Sequence, residues 1–172
     1  AGTTETVLRV SRSHWVLQGM DVDAEGKVAQ GLHVSGVAVN SPAVDVVLDG
    51  LRITGATATG LALGPDLRNP QVLNTAIDTN GDVDHRADGI HLYGSVDGLV
   101  LAGLRVSDNT GDGLHLSNHR DRAAGFEDRP QQPVSDLSIH SSRFYDNGDD
   151  GIELRDGRNI EIRAVRIWNH LQ

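Results

Sequence analysis

Several residue types are rare or absent in this chain, and each absence excludes a class of protein. The 172 residues contain no cysteine, so no disulfide can stabilise the fold. Aromatic residues make up only 3%, so a hydrophobic core has to be built from Val, Leu and Ile, which favour strands. Lys27 is the single lysine and the formal net charge is −9, which excludes the clustered positive charge of a nucleic-acid-binding protein. No apolar run approaches the roughly 20 residues of a membrane-spanning helix. We therefore predict one domain over residues 1–172 with no membrane span.

A three-residue pattern recurs six times along the chain. In each copy two aliphatic residues flank a middle residue that is usually polar. Because successive side chains of a strand point to opposite faces, the aliphatic residues should point inward and the middle residue outward. We expect the outward residues to lie exposed along one sheet, in the order Arg9, His33, Ala62, His91, His115 and Glu153.

Two further aliphatic columns follow this first strand in every repeat. The second column consists of Leu17, Leu48, Val72, Leu101, Ile139 and Ile162. The third column consists of Val22, Ile53, Ile77, Val106, Phe144 and Ile167. Each third-column residue lies five positions after its second-column partner, which predicts a tight and constant bend between the two strands. The repeat predicts an all-β fold, a right-handed parallel β-helix of about six coils with three short strands each.

The distance from the first strand to the second varies between repeats, so insertions enter there. The longest insertion is predicted as a loop over residues 118–133, and its charged residues include Arg120. Long loops in compact folds are disproportionately functional.

Two turns resemble the coils of the pectate-lyase-like superfamily. They are residues 109–116, NTGDGLHL, and residues 147–154, NGDDGIEL. The superfamily includes pectate lyases, polygalacturonases, alginate lyases and mannuronan C5-epimerases, and the resemblance covers nearly the whole chain as a repeat. It implies a polysaccharide or oligosaccharide partner, an active groove along the first sheet and an extracellular or periplasmic location.

Motifs of single families within that superfamily are missing or incomplete. The Gly-His-Gly and Arg-Ile-Lys of polygalacturonases and the Asp-Pro-His of alginate epimerases do not occur. Residues 149–153, DDGIE, resemble the calcium-binding coil of family nine pectate lyases, with Glu in place of the last Asp. The resemblance implies a Ca2+ site formed by Asp149, Asp150 and Glu153.

Acidic residues accompany the outward column in the last three coils. An aspartate stands three positions before the outward residue there, as Asp88, Asp112 and Asp150. Stacked strands lie about 4.8 Å apart, so these aspartates should meet the outward histidines. Proton abstraction next to a carboxylate needs a base, and histidine titrates near neutrality. The predicted catalytic residues are His115, His91, Arg120 and Asp112, with Arg120 as a charge partner. The predicted substrate-binding residues are His119, Asp88 and Arg155.

These residues leave three functions open. The first is a carbohydrate-active enzyme that acts on an acidic polysaccharide by lyase or C5-epimerase chemistry on the first sheet. The second is a glycoside hydrolase with an aspartate pair, because hydrolases use two carboxyl groups about 5.5 Å or 6.5–9.5 Å apart. The third is a non-catalytic β-helix for binding or assembly, because Asp-Gly before a strand is turn chemistry in its own right.

Two structural expectations accompany these functions. Asn80, Asn109 and Asn147 occupy equivalent turn positions and should form a stacked amide ladder. Neither end of the predicted stack shows a cap, and open coil ends are exposed strand edges. We therefore expect either end-to-end self-association or flanking coils of a longer β-helix.

Overall fold

The computed structural model describes residues 5–36, 41–117 and 133–171. Within these ranges the chain forms parallel strands and no helix. These residues therefore contain no helix that is long and apolar enough to cross a membrane. The strands in chain order are β1 (Thr6–Val10), β2 (Val16–Gln18), β3 (Asp21–Asp23), β4 (Gln30–Val34), β5 (Ala43–Val44), β6 (Val47–Asp49), β7 (Arg52–Thr54), β8 (Thr59–Leu63), β9 (Leu67–Arg68), β10 (Gln71–Leu73), β11 (Ala76–Asp78), β12 (Asp88–Leu92), β13 (Val96–Asp97), β14 (Val100–Ala102), β15 (Arg105–Ser107), β16 (Leu114–Leu116), β17 (Ser135–His140), β18 (Arg143–Tyr145), β19 (Ile152–Leu154), β20 (Arg158–Arg163) and β21 (Arg166–Trp168). Almost all of the predicted loop 118–133 lies outside the described residues.

Three parallel sheets run along the stack of coils. The first sheet has the order β1-β4-β8-β12-β16-β19, and the third has the order β21-β18-β15-β11-β7-β3. The second sheet contains the remaining strands. The register of the first sheet aligns the outward column as predicted, with His91 opposite His115 and His115 opposite Glu153. The predicted parallel β-helix and its three aliphatic columns are confirmed.

The second sheet is more complex than the sequence predicts. Three coils carry an additional two-residue strand, namely β5, β9 and β13, while β17 and β20 are long enough to span both halves of the sheet. Asp45, Asn69 and Gly98 separate the halves, with φ between 50° and 69°. The predicted three strands per coil therefore become four in these coils, because a left-handed residue bends the chain between the halves.

The predicted tight bend lies between the second and third sheets. Each coil has a residue with positive φ two positions after its second-column aliphatic residue. The residues at this position are Gly19, Gly50, Asn74, Gly103, Ser141 and Ala164. Gly and Asn adopt this conformation at little cost. At Asn74 the side chain also donates to Asp49 Oδ1 in the neighbouring coil at 2.9 Å, so the bend connects coils as well as sheets.

The aliphatic columns form one continuous core. Leu32, Leu61, Ile90 and Leu114 of the first sheet are fully buried, and so is Phe144 of the third column. Burying one such side chain contributes roughly 1.5–3 kcal/mol, so these columns are the main source of stability. In the last coil the second and third columns are exposed, at Ile162 and Ile167.

The outward column is not exposed along its whole length, and that prediction was wrong. Only Arg9 is exposed, His33 and Ala62 are buried, and His91, His115 and Glu153 are half-buried. The Tyr93 side chain lies over His33, since its hydroxyl is 2.7 Å from His33 Nε2. Apart from Arg9 in the first coil, the accessible outward positions of the first sheet therefore lie in the later coils.

The predicted asparagine ladder is confirmed. Asn80 Nδ2 donates to Asn109 Oδ1 at 2.7 Å, and Asn109 Nδ2 donates to Asn147 Oδ1 at 2.9 Å. All three side chains are buried. Because the ladder lies in the turns that lead into β12, β16 and β19, it fixes the three strands on which the predicted site depends.

Candidate active site on the first sheet

Strands β12, β16 and β19 bring the predicted outward residues of three coils together. The imidazole rings of His91 and His115 stack with their centroids 5.1 Å apart and their planes inclined by 29°. Glu153 follows in register on the next strand. The predicted proximity of the two histidines is therefore present in the structure.

The aspartates of the cluster have a structural role, as turn chemistry predicts. Asp88 Oδ1 accepts the backbone N–H of Asp112, and Asp112 Oδ1 accepts the backbone N–H of Asp150, both at 3.0 Å. Each aspartate thus caps the turn of the following coil with one oxygen. The Oδ2 atoms are left for other contacts.

His115 lies at the centre of the cluster, among three carboxylates. Its Nδ1 is 3.2 Å from Asp112 Oδ2 and 3.4 Å from Asp88 Oδ2. Its Nε2 is 3.4 Å from Glu153 Oε2. The side chain of Asp112 is only 4% exposed, so little solvent screens its charge.

This arrangement fixes the protonation of the central pair. The neighbouring Asp112 and then Asp88 carboxylates raise the pKa of His115 to about 9, against the opposing effect of burial. Burial works to raise the pKa of Asp112, but His115 and the N–H of Asp150 outweigh it and hold that pKa below its ordinary value. At neutral pH the pair is therefore an imidazolium beside a carboxylate, and His115 carries a proton that it can donate.

Two arginines form the accessible rim of the cluster. Arg155 donates to Glu153 Oε1 at 2.7 Å and is 56% exposed. Arg86 pairs with Asp149, lies 3.8 Å from Asp112 Oδ1 and is 61% exposed. Sequence reasoning missed Arg86, because its position in the loop before β12 does not reveal that it reaches two later coils.

Tyr93 and Ser117 are two further residues that sequence reasoning missed. The Tyr93 ring lies 5.5 Å from that of His91, and its hydroxyl contacts His33. His91 Nε2 is 3.3 Å from Ser117 Oγ. Each residue stands two positions after a predicted outward histidine, so the period of a strand could have placed both on the same face.

The predicted Ca2+ ligands do not converge on one point in the described structure. Asp149 pairs with Arg86, and Glu153 contacts Arg155 and His115. The sites of Ca2+ consist of oxygen ligands around one centre, so the observed pairing does not fit a calcium centre at these residues. A group that does converge is Asp88, Asp112 and His115, whose ligand atoms all lie within 4.8 Å of one another. The predicted residues His119 and Arg120 lie outside the described part of the chain.

Stacked parallel coils with inward aliphatic columns and an outward cluster on one sheet define a parallel β-helix protein. Residues 17–171 match the family described as right handed beta helix region. The chain therefore belongs to the right-handed β-helix family, which confirms the predicted handedness.

Solved structures with a similar fold include two kinds of enzyme. The periplasmic alginate epimerase AlgG superposes with a TM-score of 0.64 at 16% identity, over 97% of this chain and 36% of that chain. A double mutant of AlgG gives a TM-score of 0.67 at 15% identity, over 93% of this chain and 36% of that one. Pectate lyase Pel9A gives a TM-score of 0.60 at 21% identity, over 81% of this chain and 30% of that chain.

At these identities the likeness shows the fold alone. The chain spans only about a third of the length of these enzymes. No curated protein matches it in sequence.

Proposed function

We propose that this chain acts on an acidic polysaccharide by lyase or C5-epimerase chemistry on its first sheet. The observation that carries the proposal is the convergence of His91 and His115 with three carboxylates on one accessible face. The fold supports it, because the similar structures are an alginate epimerase and a pectate lyase, both named for acidic polysaccharides. We also propose an extracellular or periplasmic location, the latter being that of AlgG.

Both reactions begin with removal of the C5 proton next to the carboxylate of a uronic acid. In our assignment His91 accepts that proton, and the bonding electrons move towards the carboxylate. In a lyase the C4–O bond then breaks, a C4=C5 double bond forms, and His115 donates its proton to the leaving oxygen. In an epimerase a proton returns to C5 from the opposite face of the ring.

The charges of the cluster suit an acidic polymer better than the net charge suggests. The guanidinium groups of Arg86 and Arg155 are exposed at the rim beside the partly exposed Asp149 and the exposed Asp150, whereas the Asp112 carboxylate is buried. The arginines can neutralise the carboxylate of the substrate, whose charge grows during proton removal. Asp88 and Asp112 keep His115 protonated and in position. Arg155 has the substrate-binding role that the sequence predicts.

The charge state of the Asp112 carboxyl group favours a lyase or epimerase over a glycoside hydrolase. It needs one carboxyl group that stays protonated, which requires a raised pKa. The pKa of Asp112 is instead lowered by His115 and the Asp150 N–H, against the effect of burial. Non-catalytic binding is the remaining alternative, and a turnover assay distinguishes it from an enzyme.

The test is a screen of pectate, alginate and glycosaminoglycans with the wild type and two variants. His91→Gln should lower the rate of turnover by roughly 10²-fold or more, the usual contribution of a general base. Turnover is followed as 4,5-unsaturated product for a lyase and as inversion at C5, by nuclear magnetic resonance, for an epimerase. The matched control is His140→Gln, which removes a histidine of β17 in the second sheet. Turnover that His91→Gln leaves intact would refute the assignment. Binding without any turnover would favour the non-catalytic function.

A further inference from the structure

We propose that Asp88, Asp112 and His115 bind one divalent transition-metal ion, of the borderline class to which Zn2+ belongs. The ligand atoms would be Asp88 Oδ2, Asp112 Oδ2 and His115 Nδ1. The proposal concerns the same cluster as the proposed function but does not rest on it, because metal binding is measured without polysaccharide. A bound ion would replace the proton on His115 Nδ1, and the proton that His115 could donate would then be the one on Nε2, beside Glu153.

Two of the three distances between these atoms match the spacing of ligands around a metal, and all three atoms lie within 4.8 Å of one another. His115 Nδ1 is 3.2 Å and 3.4 Å from the two Oδ2 atoms. Charge-assisted N–H···O bonds are shorter, at about 2.7–2.9 Å. Neighbouring ligands in a tetrahedral site with metal–ligand distances of about 2.0–2.2 Å lie roughly 3.3–3.6 Å apart. The observed separations are therefore closer to the edge of a coordination polyhedron than to a direct ion-pair bond.

The surrounding contacts orient all three ligands. The Oδ1 atoms of Asp88 and Asp112 are held by the backbone N–H groups of the following coils. This directs the two Oδ2 atoms towards the imidazole. On the opposite side of the ring, Nε2 faces the carboxylate of Glu153, which Arg155 holds in turn. A carboxylate behind a metal-bound imidazole is the usual outer partner of such ligands.

The charge balance of the cluster also favours a cation at this point. Asp88 and Asp112 share one imidazole, so one negative charge stays unbalanced even when His115 is protonated, and like charges in a poorly solvated position repel unless a further cation lies between them. Arg86 lies 3.8 Å from Asp112 and pairs with Asp149 instead. A divalent ion would neutralise Asp88 and Asp112 directly. Three protein ligands would leave coordination positions open, as in catalytic zinc sites.

The donor set distinguishes the class of metal. Ca2+ takes six to eight oxygen ligands, whereas this group offers two carboxylates and one imidazole nitrogen. Imidazole favours Zn2+ and its transition-metal neighbours over Ca2+. The site would therefore differ in both residues and metal from the calcium site that the sequence predicts.

The test is isothermal titration calorimetry of the whole chain with Zn2+ and, separately, with Ca2+. Asp112→Asn and His115→Gln each remove a ligand, and asparagine keeps an oxygen that can accept the Asp150 N–H. The matched control is His85→Gln, which removes an exposed imidazole that also faces an aspartate, Asp82, at 2.8 Å. A thermal melt of each variant establishes that it is folded, and if Asp112→Asn does not fold, His115→Gln decides.

We expect the wild type to bind one equivalent of Zn2+ at least tenfold more tightly than Ca2+. Both ligand variants should weaken Zn2+ binding at least tenfold, and His85→Gln should leave it unchanged. The proposal is overturned if the wild type shows no saturable equivalent, or if the folded ligand variants bind like the wild type. The proposal is also overturned if His85→Gln weakens Zn2+ binding as much as the ligand variants do, or if the wild type binds Ca2+ more tightly than Zn2+. None of these results depends on turnover of a polysaccharide.

Discussion

Replacing His115 should change the pH dependence of the free energy of unfolding, because two neighbouring carboxylates shift the pKa of this histidine. The Asp112 and then the Asp88 carboxylates raise the pKa of His115 from 6.5 to about 9 in the folded chain. One pKa unit corresponds to about 1.36 kcal/mol, so the protonated imidazole contributes on the order of 3 kcal/mol to the free energy of unfolding. The side chain is only 21% exposed, so solvent screening reduces this value little.

The direction in which each pKa is shifted determines whether the free energy of unfolding rises or falls with pH. A raised pKa stabilises the folded state fully below the unfolded value of 6.5, and this contribution is lost as the pH rises through about 9. The pKa of Asp112 is lowered by His115 and the Asp150 N–H against the effect of burial, so its contribution is lost as the pH falls below the ordinary value of 3.8. The pair should therefore stabilise the chain most between these two ordinary values.

The assay is urea unfolding of the wild type and His115→Gln at a series of pH values, with a chelator present. The difference between their free energies of unfolding should decrease by about 3 kcal/mol from pH 6 to pH 10. His140→Gln is the control for the loss of an imidazole elsewhere in the chain. A difference that stays constant from pH 6 to pH 10 for His115→Gln would refute the account of the ion pair.

Three further predictions concern the β-helix itself. Asn109→Ala should lower the free energy of unfolding by about 1–3 kcal/mol, because it removes the side-chain hydrogen bonds that link Asn80 and Asn147 through the buried ladder. In the same denaturation assay the exposed control Asn159→Gly should lower the free energy of unfolding far less. Gly89→Ala should lower the free energy of unfolding by about 1–3 kcal/mol, because a Cβ at this position would lie under 3.0 Å from atoms of Val106, Asn109 and Gly113. An unchanged denaturation midpoint would contradict this prediction. We expect the chain to self-associate, and analytical ultracentrifugation measures this. Val16→Ser on the exposed end coil should reduce the self-association, whereas Val83→Ser on an exposed loop should not. A monomeric wild type would contradict the prediction.

The fold could be predicted to the level of register because inward aliphatic residues repeat in every coil. That repeat placed His91, His115 and Glu153 on adjacent strands. The additional strands β5, β9 and β13 could not be predicted, since two residues are too short to show alternation. The burial of His33 was missed because Tyr93, from a distant part of the sequence, covers it.

The site could be predicted as a set of residues but not as a set of contacts. The repeat places Asp88 and Asp112 at equivalent positions of adjacent coils and His115 just after Asp112, but the turn conformation and the rotamers decide which oxygen faces which nitrogen. The reach of Arg86 to Asp149 depends on a loop conformation that no periodic pattern encodes. For the same reason the calcium ligands predicted from residues 149–153 and the converging group in the structure are different residues.

The most direct test of the proposed function is proton exchange at C5 of a uronic acid polymer. The wild type is incubated with alginate or pectate in deuterium oxide, and the loss of the C5 proton signal is followed by nuclear magnetic resonance. Both lyase and epimerase chemistry start with removal of this proton, so the wild type should exchange or eliminate it. His91→Gln should lose this activity while His140→Gln keeps it. Full retention of the C5 proton with every polymer, or exchange that survives replacement of both His91 and His115, would contradict an active site on the first sheet.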